Sequence, residues 1–356
     1  MPDPTAETGT SAKVVASSRA PAVATAGPAP IIEVRGLTKR FVKSLDLAGR
    51  IAARFGADAR EETVHAVDGV DLAVARGEVV GLVGESGCGK STLGRMIAGI
   101  LEPTAGEVRF KGRDRSTLTG AEAKAARLAV QMIFQDPYAS LNPRARVAAI
   151  VGEAPLVHGL VAARDQAAYI DEMLMRVGLD PEFKRRYPHQ FSGGQRSRIG
   201  IARALAVRPE FLVCDEAIAA LDVSIQAQVI NLFMDLRRDL DLTYLFISHD
   251  LGVVQHISDR IVIMYLGRVV EAARTEELFA KPNHPYAQAL LAEVPRVGRA
   301  KRSFKPIEGE IPSPLSPPSG CHFHPRCPHA TARCSAEAPK LKEIAPGRWS
   351  ACHLNG

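Results

Sequence analysis

Residues 84–92 read GESGCGKST, which has the GxxxxGK[ST] spacing of a phosphate-binding loop. Glycines in such a loop let the backbone turn tightly, so that successive N–H groups point at a phosphate near the positive end of a helix. Lys90 would reach the β- and γ-phosphates, and the Ser91 hydroxyl would bind Mg²⁺. The alternative is a glycine-rich turn without a ligand. We expect this loop to bind ATP through Gly84, Glu85, Ser86, Gly87, Cys88, Gly89, Lys90, Ser91 and Thr92.

A pair of acids further along the chain would complete this chemistry. Phosphoryl transfer needs a carboxylate that holds the metal and a group that orients the attacking water. The apolar run 211–214 is followed by Asp215 and Glu216. We expect Asp215 to face Mg²⁺ and Glu216 to act as the general base for the attacking water. An apolar strand that ends in a solvated acidic turn is the alternative interpretation.

The elements around both motifs are the ones that would position them. The apolar, β-branched run 78–83 predicts a strand before the phosphate-binding loop, and residues 92–100 predict a helix after it. The run 211–214 predicts a second buried strand with the acids at its end. Strand, loop and helix in this order are the context in which a phosphate-binding loop functions.

The string FSGGQ at 191–195 makes the assignment more specific. With it, the chain resembles the nucleotide-binding subunits of ABC transporters, whose LSGGQ signature matches here at Ser192, Gly193, Gly194 and Gln195. In that family the signature of one subunit contacts the γ-phosphate bound by the other. A serine hydroxyl and glycine amides at a helix start are suitable anion donors. A plain helix cap is the alternative.

Other conserved motifs of this family have counterparts in the chain, in the order in which the family has them. By resemblance, Gln135 would contact Mg²⁺ and the membrane partner, and Asp222 would lie in a loop at the dimer interface. His249 would contact the γ-phosphate, and Phe41 would stack on adenine, although a phenylalanine at this place could instead be core. One departure is Ala217-Ile218-Ala219, where the family commonly has proline after the two acids. We expect hydrolysis to survive this change.

Longer segments resemble the ATPase subunits of oligopeptide and dipeptide importers: FQDPYASLNPR at 134–144, LDVSIQAQVINL at 221–232, HPYAQALL at 284–291 and GCHFHPRCPHA at 320–330. The resemblance runs from about residue 31 to the C-terminus. It implies two permease subunits, an extracytoplasmic substrate-binding protein and a second ATPase subunit, identical or paralogous. Related systems for nickel, opines or glycosides use similar subunits, so the solute stays open.

Four cysteines cluster near the C-terminus: Cys321, Cys327, Cys334 and Cys352. In a reducing compartment such clustering favours metal over disulfides. The spacing Cx₅Cx₆Cx₁₇C is neither a zinc ribbon nor a ferredoxin run. Thiolates at these positions could hold a [4Fe–4S] cluster or zinc, or remain without a ligand. The family resemblance favours the iron–sulfur cluster.

Composition restricts the remaining possibilities. The chain has 356 residues, 46% of them hydrophobic, which suffices for a substantial core. No uninterrupted apolar stretch approaches the length of a membrane span, and residues 1–30 predict a disordered tail without a signal peptide. We therefore expect a cytoplasmic protein, peripheral to the inner membrane. The net charge of +6 is spread along the chain, and no nucleic-acid-binding motif accompanies it.

The predicted fold is an α/β ATPase core with a mostly parallel sheet and an antiparallel β region that holds Phe41. The nucleotide-binding domain would span 31–295 and include a helical subdomain at about 137–200. Residues 296–356 would form a proline-rich connector, from 296 to 320, and a small cysteine-rich appendix. Residues 43–62 predict an amphipathic helix or a solvated surface excursion. A soluble ABC ATPase acting on nucleic acid or ribosomes, and a non-enzymatic metal or redox sensor, are the competing classes of function.

Overall fold

A computed structural model describes residues 29–43, 62–292, 307 and 309–356 of the chain. The expected disordered tail lies outside these residues except for its last two positions. Residues 44–61 of the candidate helix and residues 296–306 and 308 of the connector also lie outside them.

The strands of the described residues are β1 (Pro30–Lys43), β2 (Glu62–Ala75), β3 (Val79–Val83), β4 (Ala105–Phe110), β5 (Arg113–Asp114), β6 (Val130–Ile133), β7 (Phe211–Asp215), β8 (Thr243–Ile247), β9 (Arg260–Tyr265), β10 (Arg268–Arg274), β11 (Lys342–Ala345) and β12 (Arg348–Ser350). The helices are α1 (Lys90–Ala98), α2 (Gly120–Ala129), α3 (Pro137–Ser140), α4 (Val147–Val157), α5 (Gln166–Arg176), α6 (Gly193–Leu205), α7 (Val223–Leu240), α8 (Leu251–Ile257), α9 (Thr275–Ala280), α10 (Pro285–Ala292) and α11 (Ala332–Ala336).

The main sheet has the order β11-β12-β10-β9-β3-β8-β7-β6 among the described strands. Its central part, from β9 through β3, β8 and β7 to β6, is parallel. Successive residues of β3 pack into different clusters, Val79 and Val83 on one face and Val80 and Leu82 on the other. Because both faces are buried, the strands are continuous apolar runs, and the predicted mostly parallel α/β core is confirmed.

A second sheet is antiparallel, with the order β2-β1-β4-β5. Phe41 lies near the end of β1, opposite Val64 of β2. This sheet shares an apolar cluster with the main sheet and α1, in which Ile32, Leu72 and Leu93 are fully buried. The expected antiparallel region that holds Phe41 is therefore confirmed.

Helices α3, α4 and α5 and the first half of α6 fill the segment predicted as a helical subdomain. Val151 of α4, Leu174 of α5 and Ile199 of α6 are buried in one cluster with residues of the main sheet. The limits of this subdomain stay a prediction. None of the helices in the described part of the chain is both long enough and apolar enough to cross a bilayer.

The C-terminal segment, defined here as residues 309–356, joins the main sheet. Residues 309–320, the described end of the predicted connector, contain no helix or strand, in agreement with their proline content. Further on, β12 pairs with β10 in antiparallel register, with Ser350 opposite Glu271 and Trp349 opposite Ala272. The segment thus shares backbone hydrogen bonds with the main sheet, and its separation as an appendix stays a prediction.

Candidate functional site

The phosphate-binding loop connects β3 to α1 and depends on its glycines. Gly84, Gly87 and Gly89 have φ values of 154°, 79° and 104°. A Cβ atom at Gly84 would lie 2.2 Å from the Met264 carbonyl oxygen, and one at Gly89 would lie 2.1 Å from the Ala66 carbonyl oxygen. Only glycine satisfies both the backbone conformation and the close approach at these two positions.

The lysine of the loop is buried within it. The side chain of Lys90, the first residue of α1, donates from Nζ to the carbonyl oxygens of Gly84 at 2.7 Å and Glu85 at 3.0 Å. Burial of an ammonium group is tolerated because these carbonyls satisfy it. The lysine, together with the start of α1, supplies positive charge where the sequence predicted the phosphates.

The structure places Ser91 and Asp215, the two residues expected to face Mg²⁺, in direct contact. The Ser91 hydroxyl donates to Asp215 Oδ1 at 2.8 Å and joins the start of α1 to the end of β7. Asp215 is 1% exposed, and burial raises the pKa of its carboxyl group, opposed by the Ser91 hydrogen bond and the nearby Arg95 and Lys90. A hydroxyl and a carboxylate oxygen are hard ligands of the kind Mg²⁺ prefers, so the pair fits this ion.

Glu216 lies at the centre of a contact between three strand ends. Its Oε2 accepts a hydrogen bond from Gln135 Nε2 at 2.7 Å, and its Oε1 lies 3.4 Å from His249 Nδ1. Gln135 follows β6, Glu216 follows β7 and His249 follows β8, so the parallel sheet brings all three to one edge. Glu216 has a φ of 45°, which is unusual for a residue with a side chain and is typical of strained functional positions.

The signature residues form the start of α6. Ser192 caps this helix, accepting from the Gln195 amide at 3.3 Å, while the Gln195 side chain accepts from the Ser192 amide at 3.1 Å. Gly193 and Gly194 occupy the first turn, and a Cβ atom at Gly194 would lie 2.6 Å from the Ile225 side chain. The reciprocal cap confirms the helix-cap geometry, which is compatible with anion binding as well.

The remaining predicted positions lie on the surface or at element ends. Asp222 is the N-terminal cap residue of α7. Phe41 is 42% exposed, and Lys39 Nζ lies 5.2 Å from its ring centroid. An exposed aromatic ring of this kind is not a core residue and is available for stacking. Ala217 and Ile218, which stand where the family commonly has a proline after the two acids, are buried.

The sequence analysis missed one contact, between the segment that follows Gln135 and helix α6, which begins with the signature residues. The guanidinium carbon of Arg196 lies 3.6 Å from the ring centroid of Tyr138, and Arg196 Nε donates to the Pro188 carbonyl oxygen at 2.7 Å. Tyr138 follows Gln135 closely, so this stacking joins the two motifs. The sequence contains both residues but gives no signal that they pair.

A second missed contact joins the phosphate-binding loop to the C-terminal segment. Arg326 donates from Nη1 to Glu85 Oε2 at 2.8 Å and from Nη2 to Glu85 Oε1 at 3.1 Å. The sequence analysis assigned Glu85 to the loop but gave Arg326 no role. A pairing across 241 residues has no local signal in the chain.

The four clustered cysteines line one small cavity of about 20 Å³, together with His324, His329 and His353. All four are free thiols, and burial raises the pKa of Cys321, Cys327 and Cys352. In the described residues, no group of three or more His, Cys, Asp or Glu has an arrangement that could hold a metal ion. The structure brings the cysteines together but does not support the expected [4Fe–4S] or zinc site.

Comparison with known proteins agrees with the geometry of the ATP site. Residues 67–219 match the family described as ABC transporter, and residues 270–334 match the family described as oligopeptide/dipeptide transporter, C-terminal region. The oligopeptide transport ATP-binding protein AppF of Bacillus subtilis is 52% identical over 295 residues, which cover 82% of this chain and 90% of that protein.

Two solved structures share the fold. The protein cbiO1 of Clostridium perfringens, part of the ABC transporter complex cbiONQ, has a TM-score of 0.58 and 27% identity, covering 71% of this chain and 92% of its own. An ATP-binding cassette was solved as a dimer in a post-hydrolysis state bound to ADP and Pi. It matches this chain with a TM-score of 0.57 and 26% identity, and the match covers 68% of this chain and 98% of the cassette.

The fold and the site together define an ABC-type ATPase, with the phosphate-binding loop and the two acids at one edge of a parallel sheet. Within this class, the chain belongs to the family of oligopeptide and dipeptide transporter ATP-binding proteins.

Proposed function

We propose that this chain is the ATP-hydrolysing subunit of a membrane importer for oligopeptides or dipeptides. The observation that carries the ATPase assignment is the convergence of Gln135, Glu216 and His249 beside the Ser91–Asp215 pair. The importer assignment is supported by the match of residues 270–334 and by the similarity to AppF, an oligopeptide transport ATP-binding protein.

The chemistry at this site is positioning and electrostatics. The loop amides and Lys90 would bind the phosphates, while Ser91, Gln135 and Asp215 would hold Mg²⁺. The ion, when bound, neutralises charge on the phosphates. Glu216 would accept a proton from the attacking water, and His249 would orient the γ-phosphate beside it. The strained backbone of Glu216, whose amide donates to the Ile247 carbonyl oxygen at 3.0 Å, keeps its carboxylate at the strand edge.

A complete site would need a second subunit. Ser192, Gly193, Gly194 and Gln195 would contact the γ-phosphate bound by the partner, and the loop at Asp222 would lie at the seam. The dimeric ATP-binding cassette with a TM-score of 0.57 supports this arrangement. Closure would act on two permease subunits at the cytoplasmic face of the inner membrane, with peptides delivered by an extracytoplasmic substrate-binding protein.

The metal content of the cysteine cavity is a separate part of this proposal. Cys321, Cys327, Cys334 and Cys352 line one cavity, which supports an iron–sulfur cluster, whereas no group of ligands among the described residues is arranged to hold a metal ion. Iron, sulfide and zinc should be measured on protein purified without oxygen. A brown protein with iron and sulfide would support the cluster, zinc without colour would support the alternative, and metal-free protein would reject both.

Transport itself is the decisive test of the proposed function. The chain should be co-expressed with candidate permease subunits and a candidate substrate-binding protein, and the complex reconstituted in vesicles. ATP hydrolysis should rise when a peptide-loaded binding protein is added, with uptake of labelled peptide. If nickel, an opine or a glycoside stimulates hydrolysis instead of a peptide, the chain serves an importer for that solute. Hydrolysis that only nucleic acid or ribosomes stimulate would contradict the importer assignment.

A further inference from the structure

Arg326 is buried against the phosphate-binding loop although it belongs to the C-terminal segment. Its side chain is 5% exposed, and that of its partner Glu85 is 20% exposed. The two groups form a bidentate pair at 2.8 and 3.1 Å. A paired arginine and carboxylate with this geometry has a defined orientation, whereas a buried single charge is strongly unfavourable.

The backbone of Glu85 is fixed by the same neighbourhood. Its amide donates to Tyr286 Oη at 2.9 Å, and Arg326 Nη1 also lies 3.4 Å from Tyr265 Oη. Phe323 packs against both tyrosines, with ring centroids 5.3 Å away in each case. The aromatic cluster thus holds the Glu85 backbone, and Arg326 holds its carboxylate.

The segment that carries Arg326 is attached to the core at other points. His322 Nδ1 lies 3.0 Å from the Leu266 carbonyl oxygen, and Arg268 Nη1 donates to the Gly320 carbonyl oxygen at 3.3 Å. Pairing of β12 with β10 adds backbone hydrogen bonds. These contacts give Arg326 a fixed position relative to the loop.

Glu85 is also tied to the lysine of the ATP site. Its carbonyl oxygen accepts from Lys90 Nζ at 3.0 Å, so its placement affects the residue that would bind the phosphates. Without Arg326, the Glu85 carboxylate would be a partly buried negative charge next to an anionic ligand. Like charges in a low-dielectric site repel strongly.

We propose that Arg326 is a positioning residue of the nucleotide site, which neutralises and orients Glu85, so that docking of the C-terminal segment sets the affinity for ATP. This inference rests on the proposed ATP-binding function. The expected chemical consequence is a change in nucleotide affinity with little change in the hydrolytic step, because neither Arg326 nor its segment contributes to the Gln135, Glu216 and His249 cluster.

The test uses the full chain and Mg²⁺ with a fluorescent ATP analogue. Arg326→Ala should raise Kd for the analogue and KM for ATP about 10-fold or more, with kcat at saturating ATP nearly unchanged. Arg326→Lys should retain an intermediate affinity, because it keeps the charge but loses the bidentate geometry. The matched control is Arg333→Ala, which removes an exposed arginine of the same segment from its pair with Glu337.

A double variant separates charge from folding. Arg326→Gln combined with Glu85→Gln removes both charges and should recover at least about threefold of the affinity that Arg326→Gln alone loses. If Arg326→Ala fails to fold, the comparison of Arg326→Gln with the double variant decides alone, and a double variant that binds the analogue no better than Arg326→Gln overturns the proposal. Wild-type affinity in a folded Arg326→Ala variant also overturns it. A wild-type chain that binds no ATP would instead refute the proposed function.

Discussion

The ATP site and the cysteine cavity are both clusters of polar side chains, yet they are built differently. At the ATP site, Asp215 is the last residue of β7, and Glu216 and His249 follow the ends of the neighbouring parallel strands β7 and β8, which are buried on both faces. In the C-terminal segment, Cys321 and Cys327 lie in irregular backbone, linked to α11 by the hydrogen bond from the Cys321 amide to the Cys334 carbonyl oxygen at 2.8 Å. Regular strands place side chains by register, whereas the irregular segment depends on individual side-chain and backbone contacts.

The largest expected effect tests the ATP site. Glu216→Gln keeps the size and the hydrogen bond from Gln135 but cannot accept a proton, so ATP hydrolysis should fall about 10²- to 10⁴-fold. Nucleotide-induced dimerisation should remain, measured by gel filtration with ATP. The control is Glu210→Gln, at the other end of β7, where the carboxylate pairs with Lys111 at 2.7 Å. Normal turnover in Glu216→Gln would reject the assigned base.

The next effect concerns pH and the junction between the two regions. His284 is buried beside the cysteine cavity, and burial lowers its pKa from 6.5 to about 4. Because this pKa is lower in the folded chain than in the unfolded one, protonation favours unfolding. The stability that the neutral imidazole contributes is complete above about pH 6.5. The free energy of unfolding should then fall by about 3 kcal/mol as the pH decreases towards 4.

A His284→Asn variant tests this dependence, because its amide oxygen can replace Nδ1 as acceptor for the Tyr286 amide. Denaturant unfolding between pH 7.5 and pH 4 should show a shallower loss of stability in the variant. An equal slope in both proteins would exclude His284 as a source of acid sensitivity.

The smallest effect tests how closely the C-terminal segment packs. Gly320 has a φ of 65°, and a Cβ atom there would lie 2.4 Å from the Cys334 carbonyl oxygen. Gly347 has a similar φ of 71° but open space around it. Both alanine variants carry the backbone strain, of about 1 kcal/mol, and only Gly320→Ala should add a clash that raises the total to about 2–3 kcal/mol. Equal melting temperatures for Gly320→Ala and Gly347→Ala would show that the segment is loosely packed.

Much of the ATP site could be predicted because its motifs are short and contiguous. The string 84–92 contains its own glycines, lysine and hydroxyl, and the acids at 215–216 end an apolar run, so both assignments require only local structure. The family resemblance that begins with the string 191–195 supplied the remaining site residues, Phe41, Gln135, Asp222 and His249. Pairings between distant residues were missed: Arg196 with Tyr138 and Arg326 with Glu85.

The sequence alone determined the ATPase class, the mostly parallel sheet and the identity of the residues at its carboxyl edge. Local spacing is sufficient for the phosphate-binding loop and the two acids, whereas the ATPase class and the mostly parallel sheet followed from the family resemblance. Only the tertiary structure decided that Glu216 accepts a hydrogen bond from Gln135 and lies beside His249, that Arg326 contacts the phosphate-binding loop, and that four cysteines share a cavity without metal-binding geometry. These facts depend on distances between segments far apart in sequence, which no local pattern contains.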